Sequence, residues 1–244
     1  MKKEMIHRGF TNKVKYKIGD KFVIEKTKNG FNHTLDYTQL AEFDFVPKLI
    51  GETDKTVTWQ YIEGQMLENP SDEDLKEVAR IMRIIHKSEI SLPRNNLRRR
   101  VHAYLKIYNE KKIKVPEIDN NYREMIKLLS RMGKINPCHN DIWRENIIKD
   151  KHGKIWLVDW EYATMGDKHF DIAYFLKSFR LDDKKQQVFL DAYNSYDDYN
   201  AYIDEWIIKY KRFTAWLTCL WVYAQPEVPF DITWIKDFLK KTKP

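Results

Sequence analysis

Residues 137–161 are the stretch that most constrains the fold of this chain. Two apolar runs, residues 147–148 and 155–158, flank a polar segment that contains Gly153. Short apolar runs on either side of a polar, Gly-containing turn predict a β-hairpin. Antiparallel pairing places the start of the first strand beside the end of the second. Residues at these two points are therefore expected to lie close together.

Three polar side chains occupy that end of the predicted hairpin. Asp141 lies in the loop that enters the first strand, Asn146 stands at its start, and Asp159 follows the second strand. Converging oxygen ligands suit Mg²⁺, which binds one or two carboxylates together with water and phosphates. The spacing from His139 to Asp141 to Asn146, with Asp159 after the next strand, is typical of the catalytic half of a protein-kinase-like phosphotransferase. The alternative is an acidic hairpin whose polar residues only cap turns.

The composition is that of a folded domain. The chain has 244 residues with eight Trp, fourteen Tyr and twelve Phe, enough for one large domain or two small lobes around a cleft. No apolar run approaches the roughly 18 residues of a membrane span, and the charged start lacks the apolar segment of a signal peptide. Cys138 and Cys219 have no metal-type spacing and are too few for a disulfide framework. We therefore expect a soluble, cytoplasmic protein.

The formal net charge of +7 raises the question of nucleic-acid binding. The densest basic run, residues 98–100, is followed by Val101, Tyr104 and Tyr108 at helical spacing. These residues predict an amphipathic helix whose basic face is solvated. Attraction of an anionic nucleotide explains the charge more simply, and no nucleic-acid partner is expected.

Residues 10–26 predict a second β-hairpin near the N-terminus. Val14, Tyr16 and Ile18 share one face, and residues 19–20, Gly-Asp, form a two-residue turn. The segment 8–13 opens the first strand and is a candidate to fold over the phosphates of a nucleotide. Thr11 and Asn12 are its candidate contacts. The segment has one glycine, so the alternative is an ordinary entry into a strand.

Lys26 ends the second strand of this hairpin. In a kinase-like fold the lysine at that position reaches the α- and β-phosphates of ATP. Ile24 and Lys26 share a face, which would be the face of the cleft. Asp36 and Glu42 are both candidates to pair with Lys26, and the sequence does not choose between them. A solvated lysine is the competing interpretation, because Lys28 follows closely.

The remaining pattern predicts an α+β protein-kinase-like fold of two lobes. Residues 48–50 and 57–62 are two further strands, which complete an antiparallel lobe of four to five strands. Ile62 lies at the expected hinge and is a candidate nucleotide contact. We assign residues 1–63 to a small nucleotide-binding β-lobe and residues 64–244 to a larger helical lobe with the catalytic hairpin and substrate site.

The helices of the second lobe are predicted from capping residues and apolar periodicity. Ser71 or Asp72 is the N-cap of the first helix, and Asp171 occupies the N-cap position of a later one. The other predicted helices span residues 96–111, 120–132, 183–195, 200–224 and 231–241.

With both halves in view, the chain resembles the aminoglycoside phosphotransferase and choline kinase superfamily from Gly9 to at least Asp171. Within it, His-Asn-Asp at 139–141, Asp-Trp-Glu-Tyr-Ala at 159–163 and Gly-Phe-Thr-Asn-Lys at 9–13 are most similar to bacterial choline kinases of the LicA type. Aminoglycoside kinases more often carry His-Gly-Asp and Asp-Phe-Gly-like versions of these motifs. The resemblance is strongest in residues 138–146, 158–163, 166–167 and 171–173.

The resemblance implies a role for each motif residue. Asp141 would orient the substrate hydroxyl and accept its proton, Asn146 and Asp159 would hold Mg²⁺, and Lys26 would contact the phosphates of ATP. The chain departs from the family at one of these points. Many LicA-type chains have an arginine at the end of the second strand, and an ungapped alignment places Glu25 there. The usual helical glutamate also has no clear equivalent before residue 47, so weaker or rearranged nucleotide contacts are expected.

The acceptor is expected to be a small cationic alcohol, with choline first. Choline kinases bind the quaternary ammonium through aromatic faces from the C-terminal helices, and a cation over a ring gains about 0.5–2 kcal/mol. Trp216 and Trp221 are the candidate rings, and Glu161 is a further candidate substrate contact. The alternative for the two tryptophans is a place in the core. Aminoglycosides, thiamine and other amino alcohols are alternative acceptors, and a non-catalytic nucleotide-binding protein is the remaining hypothesis.

Overall fold

The computed structural model describes residues 3–6, 14–195 and 204–242. Its N-terminal part is a five-stranded antiparallel sheet with the strand order β1-β2-β3-β5-β4. The prediction of a small antiparallel β-lobe is therefore confirmed, and β1 is a strand that the sequence pattern did not indicate. The five strands are β1 (Lys3–Met5), β2 (Lys15–Ile18), β3 (Lys21–Glu25), β4 (Leu49–Glu52) and β5 (Thr56–Gln60).

The hairpin of β2 and β3 forms as expected, but its faces are used differently. Ile18 pairs with Lys21 across a two-residue turn, where Gly19 adopts a positive φ of 62° that favours glycine. The alternation placed Val14, Tyr16 and Ile18 on one face. In the structure Lys15 is buried and pairs with Ile24, whereas Tyr16 is half-buried and carries the Lys3 ammonium 3.8 Å from its ring centroid. The apolar-looking face of β2 therefore lies away from the cleft.

A 3₁₀ helix, Tyr37–Glu42, lies between β3 and β4. Asp36 caps it by accepting a hydrogen bond from the backbone N–H of Thr38 at 3.0 Å. The short segment leaves no room for a long helix before Pro47, in agreement with the sequence-based expectation. Tyr37 and Leu40 are buried beneath the sheet.

The predicted catalytic hairpin is formed by β8 (Ile147–Asp150) and β9 (Ile155–Leu157), with Ile147 opposite Leu157. A third strand, β6 (Gly64–Met66), pairs with β8. A Cβ at Gly64 would lie 2.5 Å from the Lys149 carbonyl oxygen, so this close strand approach requires glycine. A separate two-stranded ladder joins β7 (Asn136–Cys138) to β10 (Thr164–Gly166) on either side of the hairpin.

Helices make up most of the chain after residue 70. Ser71 caps α1 in a reciprocal pair with Asp74, as the polar run before the first helix predicted. The last helices pack around α7, whose residues Phe213, Trp216 and Leu220 are fully buried. The helices are α1 (Asp72–Lys87), α2 (Leu97–Glu110), α3 (Pro116–Asp119), α4 (Tyr122–Arg131), α5 (Lys168–Ser178), α6 (Asp183–Asn194), α7 (Asp204–Ala224) and α8 (Thr233–Lys241).

The boundary predicted after residue 63 falls between two different sheets. Strand β5 ends at Gln60 and belongs to the five-stranded sheet, whereas β6 begins at Gly64 and joins the catalytic hairpin. One hydrophobic core includes residues from both sides of this boundary, such as Ile24 and Leu75. The division into two domains stays a prediction. Among the described residues, no helix is long and apolar enough to cross a membrane.

Candidate active site

The loop before the catalytic hairpin is held by a buried carboxylate. Asp171 accepts hydrogen bonds from the backbone N–H groups of His139 and Asn140, at 2.7 and 2.8 Å. Asn140 adopts a positive φ of 63°, and its side chain donates to Thr164 Oγ1 at 2.9 Å. These hydrogen bonds fix the loop backbone. The next residue, Asp141, lines the cleft.

Asp171 does not have the capping role that its sequence position suggested. Helix α5 begins at Lys168, and its N-cap is Asp167, which accepts from the backbone N–H of His169 at 3.0 Å. Asp171 thus lies inside the first turn of α5 and is fully buried. Its carboxylate accepts the hydrogen bonds from the loop before β8. The N-cap prediction was wrong by one turn, because Asp167 also satisfies the cap.

Asp141, Asn146 and Asp159 lie together at one end of the hairpin. The Asn146 amide nitrogen donates to the Asp141 carbonyl oxygen at 2.9 Å and to Asp141 Oδ2 at 3.1 Å. The ladder continues to Val158, whose N–H donates to the Asn146 carbonyl oxygen. This contact places Asp159, in the left-handed region at φ 65°, beside Asn146. Both residues line the same two cavities.

The donor set at this point fits a magnesium ion. Because the side-chain nitrogen of Asn146 donates to Asp141, its side-chain oxygen Oδ1 is the atom available to a metal ion. One amide oxygen and one carboxylate are ligands that Mg²⁺ accepts, with water and phosphate completing its shell. The residues present therefore suit the ion that the sequence motif predicted.

Arg100 on α2 forms an ion pair with Asp141. Its Nη2 lies 3.6 Å from Asp141 Oδ1, and its Nη1 donates to the Asn140 carbonyl oxygen at 3.1 Å. The guanidinium is buried and stacks 4.2 Å from the ring centroid of Tyr162. Burial raises the pKa of Asp141 above its ordinary value, Arg100 opposes this rise, and Asp159 adds to it. Arg100 thus favours the ionised carboxylate that a general base requires.

His139 supports the backbone of the loop at Asp141. Its Nδ1 accepts from the Asp141 backbone N–H at 3.2 Å, and its Nε2 lies 3.0 Å from the Val158 carbonyl oxygen. Burial lowers the pKa of His139, which favours the neutral ring with its proton on Nε2. The ring packs on Trp160 at a centroid distance of 4.6 Å. His139 therefore ties the loop to the end of β9.

The first cavity lies between the five-stranded sheet and the hairpin, and we call it the hinge cavity. It is a mostly apolar slot that includes Ile62, the residue predicted at the hinge. The hinge cavity is lined by Ile6, Lys15, Phe22, Ile24, Val46, Pro47, Trp59, Gln60, Tyr61, Ile62, Glu145, Asn146, Ile148, Val158, Asp159 and Trp160.

The second cavity lies on the other side of Asp141, and we call it the acceptor cavity. Four carboxylates and two cations line it, together with several aromatic rings. The excess of acid over base makes it suited to a cationic ligand. The acceptor cavity is lined by Lys15, Arg100, Asp141, Trp143, Glu145, Asn146, Asp159, Glu161, Tyr162, Tyr174, Leu217, Thr218, Trp221 and Phe230.

The structure separates the two tryptophans that were predicted to contact the substrate. Trp221 lines the acceptor cavity and lies 6.2 Å from Phe230 between ring centroids. Trp216 is 0% exposed, lies outside the lining, and donates from Nε1 to the Ile118 carbonyl oxygen at 3.1 Å. The prediction for Trp216 is corrected: five residues along a helix turn its side chain about 140° away from Trp221, into the core.

Glu161 lines the acceptor cavity but is also held from the N-terminal part of the chain. His33 Nε2 lies 2.8 Å from Glu161 Oε2, with both side chains buried, and Asn32 donates to the same oxygen at 3.3 Å. The His33 N–H donates to the Glu161 carbonyl oxygen at 2.9 Å. Glu161 therefore joins the segment after β3 to the loop after Asp159.

Lys26 lies outside the lining of both cavities. Strand β3 ends at Glu25, and the Lys26 ammonium forms an ion pair with Glu52 on β4. Neither Asp36 nor Glu42 is its partner, because Glu52 on the same sheet is nearer. Lys26 is absent from the residues that line either cavity. The predicted nucleotide contacts Thr11 and Asn12 lie outside the described residues.

Several lining residues were not singled out from the sequence. Lys15 is the most informative of them, since its side chain is 10% exposed and its Nζ lies 3.4 Å from Asp159 Oδ2. Its signal was the alternation of β2, which places Lys15 opposite the face that looked buried. Arg100 belongs to a basic run that resembled a solvated face. Trp143, Tyr174 and Phe230 gave no signal, because they converge from three separate segments.

Comparison with known proteins agrees with this geometry. The sequence profile described as choline/ethanolamine kinase matches residues 23–243. The LicA homolog of Mycoplasma capricolum subsp. capricolum is 36% identical over 235 residues, which cover 96% of this chain and 94% of that protein. The profile and this relative both span nearly the whole chain.

Solved structures show the same fold. The crystal structure of choline kinase LicA from Streptococcus pneumoniae superposes with a TM-score of 0.73 at 21% identity, covering 98% of this chain and 92% of that one. A structure of LicA in complex with AMP has a TM-score of 0.74 at 20% identity and covers 100% and 92% of the two chains. With its kinase-like fold and paired cavities, the chain belongs to the choline/ethanolamine kinase family and is a choline kinase-like phosphotransferase.

Proposed function

We propose that the protein transfers the γ-phosphate of ATP to the hydroxyl group of choline. The observation that carries this proposal is the position of Asp141, Asn146 and Asp159 between an apolar slot and an acidic, aromatic cavity. Asn146 and Asp159 line both cavities, so a ligand in one can meet a ligand in the other at these residues. The proposal includes a cytoplasmic location, where ATP is available.

ATP would bind with its adenine in the hinge cavity. The apolar side chains of Ile24 and Ile148 line opposite walls, one on the five-stranded sheet and one on the hairpin, and Ile62 lies at the hinge. An aromatic base in such a slot is stabilised by removal of apolar surface from water. The triphosphate would then extend toward Asn146 and Asp159. Thr11 and Asn12 stay proposed phosphate contacts from the sequence motif.

Asn146 and Asp159 would hold Mg²⁺ through the amide oxygen and the carboxylate. When bound, the ion supplies positive charge that stabilises the negative charge on the transferring phosphate. The chain itself orients the amide, because the Asn146 nitrogen donates to Asp141. The chain also keeps Asp159 beside it through the continued β8–β9 ladder.

Asp141 is the proposed general base. The hydroxyl oxygen of the acceptor attacks the γ-phosphorus, the bond to the oxygen that bridges the β- and γ-phosphates breaks, and ADP leaves. The hydroxyl proton passes to Asp141 as the new oxygen–phosphorus bond forms. Because the transition state is loose, positioning and charge stabilisation matter more than proton removal. Arg100 and Asn146 hold the carboxylate in place for this step.

The lining of the acceptor cavity favours a cationic alcohol. Trp143, Tyr174, Trp221 and Phe230 offer aromatic surface, and Tyr174 lies 6.0 Å from Trp143 between ring centroids. A quaternary ammonium has no N–H to donate, so ring faces and nearby carboxylates are the groups that bind it. Ethanolamine, thiamine and aminoglycosides are acceptors of the same reaction class and are the alternatives to test.

Release of ADP in the presence of Mg²⁺ tests the proposal. The acceptors are choline, ethanolamine, an uncharged isostere of choline, thiamine and an aminoglycoside, with no acceptor as the baseline. We expect the highest kcat/KM with choline and a loss of at least about tenfold with the uncharged isostere. Asp159→Asn should abolish Mg²⁺-dependent release while thermal unfolding shows an intact fold. A higher kcat/KM with another alcohol would replace choline as the acceptor.

A further inference from the structure

The end of strand β3 supplies no cation to the cavities. Glu25 is half-buried and pairs with Thr56, and the Lys26 ammonium pairs with Glu52. Neither residue lines the hinge cavity or the acceptor cavity. A phosphotransferase that binds ATP nevertheless needs positive charge beside the phosphates. The charge must come from another part of the chain.

Lys15 on β2 lies where that charge is needed. In the part of the chain that the structure describes, four residues line both cavities, namely Lys15, Glu145, Asn146 and Asp159. Lys15 is the one cation among these four. A nucleotide that extends from the hinge cavity to the acceptor must pass these shared residues, so its phosphates pass the Lys15 ammonium.

The register of the sheet explains how a lysine on β2 reaches this point. Lys15 is directly opposite Ile24 of β3, and Ile24 lines the hinge cavity. Side chains of directly opposed residues lie on the same face, about 4.5–5.5 Å apart at Cβ. A side chain from β2 therefore enters the same region of the cleft as one from the end of β3. The long, flexible stem of lysine can cover the remaining distance.

The buried Lys15 ammonium is a group that an anionic ligand can contact. Its side chain is largely removed from water, and its Nζ lies 3.4 Å from Asp159 Oδ2, the proposed metal ligand. A desolvated ammonium interacts strongly with nearby negative charge, because the local dielectric constant is lower than that of water. We propose that Lys15 contacts the α- and β-phosphates of the nucleotide, in place of a cation at the end of β3. This inference rests on the proposed phosphotransferase function.

Calorimetric binding of ADP and of adenosine tests the role of Lys15. Lys15→Met keeps much of the apolar stem and removes the charge, so the ADP Kd should rise by at least about tenfold, as for a lost hydrogen bond to a charged group. Adenosine lacks phosphates, and its Kd should change less than twofold. Lys15→Arg should recover part of the ADP affinity. Lys28→Met, which removes an exposed charge, is the matched control and should leave the ADP Kd within twofold.

Measurement in EDTA separates a phosphate contact from an effect on the metal site. A direct contact predicts that Lys15→Met weakens ADP binding with and without Mg²⁺. The proposal is overturned if the loss is seen only with Mg²⁺, if adenosine and ADP lose affinity equally, or if Lys26→Met weakens ADP more than Lys15→Met does. Should Lys15→Met fail to fold, Lys15→Gln is measured in the same way.

The ADP-binding measurements do not depend on which alcohol accepts the phosphate. If ADP affinity depends on Lys15 while no phosphate reaches choline, the assignment of Lys15 stands and the proposed acceptor fails. If choline is phosphorylated while ADP affinity is unchanged in Lys15→Met, the proposed function stands and this inference fails.

Discussion

The loop of residues 139–146 and the five-stranded sheet position their cleft-facing side chains in different ways. In the loop, Asp141 and Asn146 are five residues apart and hydrogen-bond to each other, and Asp171 holds the backbone N–H groups before them. In the sheet, the cation that faces the cleft is determined by which residues of β2 and β3 are opposed. The loop therefore depends on local spacing, whereas the sheet depends on cross-strand register.

This difference indicates which residues could have their role taken by a residue elsewhere in the chain. A residue that must hydrogen-bond to its neighbour in a tight loop has no substitute elsewhere in the chain. A lysine in a sheet has neighbours on adjacent strands that reach the same space, which is the basis for the proposed role of Lys15. Sequence motifs are consequently more informative in the loop than in the sheet.

The largest expected effect is at Asp141. Asp141→Asn removes the proton acceptor and keeps the size of the side chain, so phosphate transfer to choline should fall by at least roughly 10²-fold. The ADP Kd should stay within a few-fold, because the residue lines the acceptor cavity and not the hinge cavity. Steady-state kinetics and calorimetry measure the two quantities. Equal losses of transfer and ADP affinity would show that the two regions are not separate.

A smaller effect is expected at Arg100, which positions Asp141. Arg100→Met removes contacts to Asp141 and to the Asn140 carbonyl oxygen, and kcat should fall by roughly tenfold. Since Arg100 lowers the pKa of Asp141, its loss should raise that pKa. Because the proposed mechanism requires ionised Asp141, the acidic limb of the pH–rate profile should move to higher pH.

Arg100→Lys is the matched variant for this test. It keeps the charge, so the acidic limb should stay near its wild-type position even where kcat falls because one of two contacts is lost. A decrease in kcat with an unshifted pH profile in Arg100→Met would show that Arg100 acts on packing and not on the base.

The two tryptophans of α7 give a third, smaller effect. Trp221→Leu should raise the KM for choline about fivefold with little change in kcat, because a ring over a cation stabilises bound substrate and transition state alike. Trp216→Phe should leave this KM unchanged and lower the free energy of unfolding by about 1–3 kcal/mol, since the buried Ile118 carbonyl oxygen loses its donor. A rise in KM in Trp216→Phe would contradict the separation of core and cavity.

The smallest effect concerns Lys177, which is buried below the acceptor cavity. Its ammonium donates to Thr218 Oγ1 at 2.7 Å and lies 4.9 Å from the ring centroid of Tyr174. Burial lowers the pKa of Lys177 to about 7, so above pH 7 the unfolded chain binds more protons than the folded one. Stability should therefore rise with pH, by up to about 1 kcal/mol per pH unit between pH 7 and 9.

Urea denaturation at pH 7, 8 and 9 measures this dependence. The rise should be absent in Lys177→Met, because the titrating group is gone. Lys184→Met, which removes an exposed lysine, should keep the wild-type slope. Equal slopes in wild-type protein and Lys177→Met would assign the dependence to other groups.

The catalytic hairpin and its three polar residues were predictable because they follow from short-range rules. Residue alternation, the Gly-containing turn and the spacing of Asp141, Asn146 and Asp159 all act within about twenty residues of chain. Ser71 as the N-cap of α1 and the turn at Gly19 belong to the same class. In each case the contact partners lie on neighbouring segments, so their positions are encoded in order along the chain.

Contacts between distant segments required the tertiary structure. Arg100 with Asp141, His33 with Glu161 and Lys26 with Glu52 join residues separated by 26 to 128 positions. Burial of a charge depends on what packs over it, and the pattern of a single strand or helix does not contain that information. The alternation of β2 therefore does not indicate that Lys15 is buried in the cleft.

The reaction class and the three polar residues at the end of the hairpin follow from spacing within one segment, and the α+β kinase-like fold follows from the order of predicted strands and helices along the chain. Packing between distant segments sets which lysine lines both cavities and which tryptophan lines the acceptor cavity. Lys15 or Lys26, and Trp221 or Trp216, are chemically equivalent choices in the sequence. Sheet register and helix rotation separate them, because both depend on how elements pack against the rest of the chain.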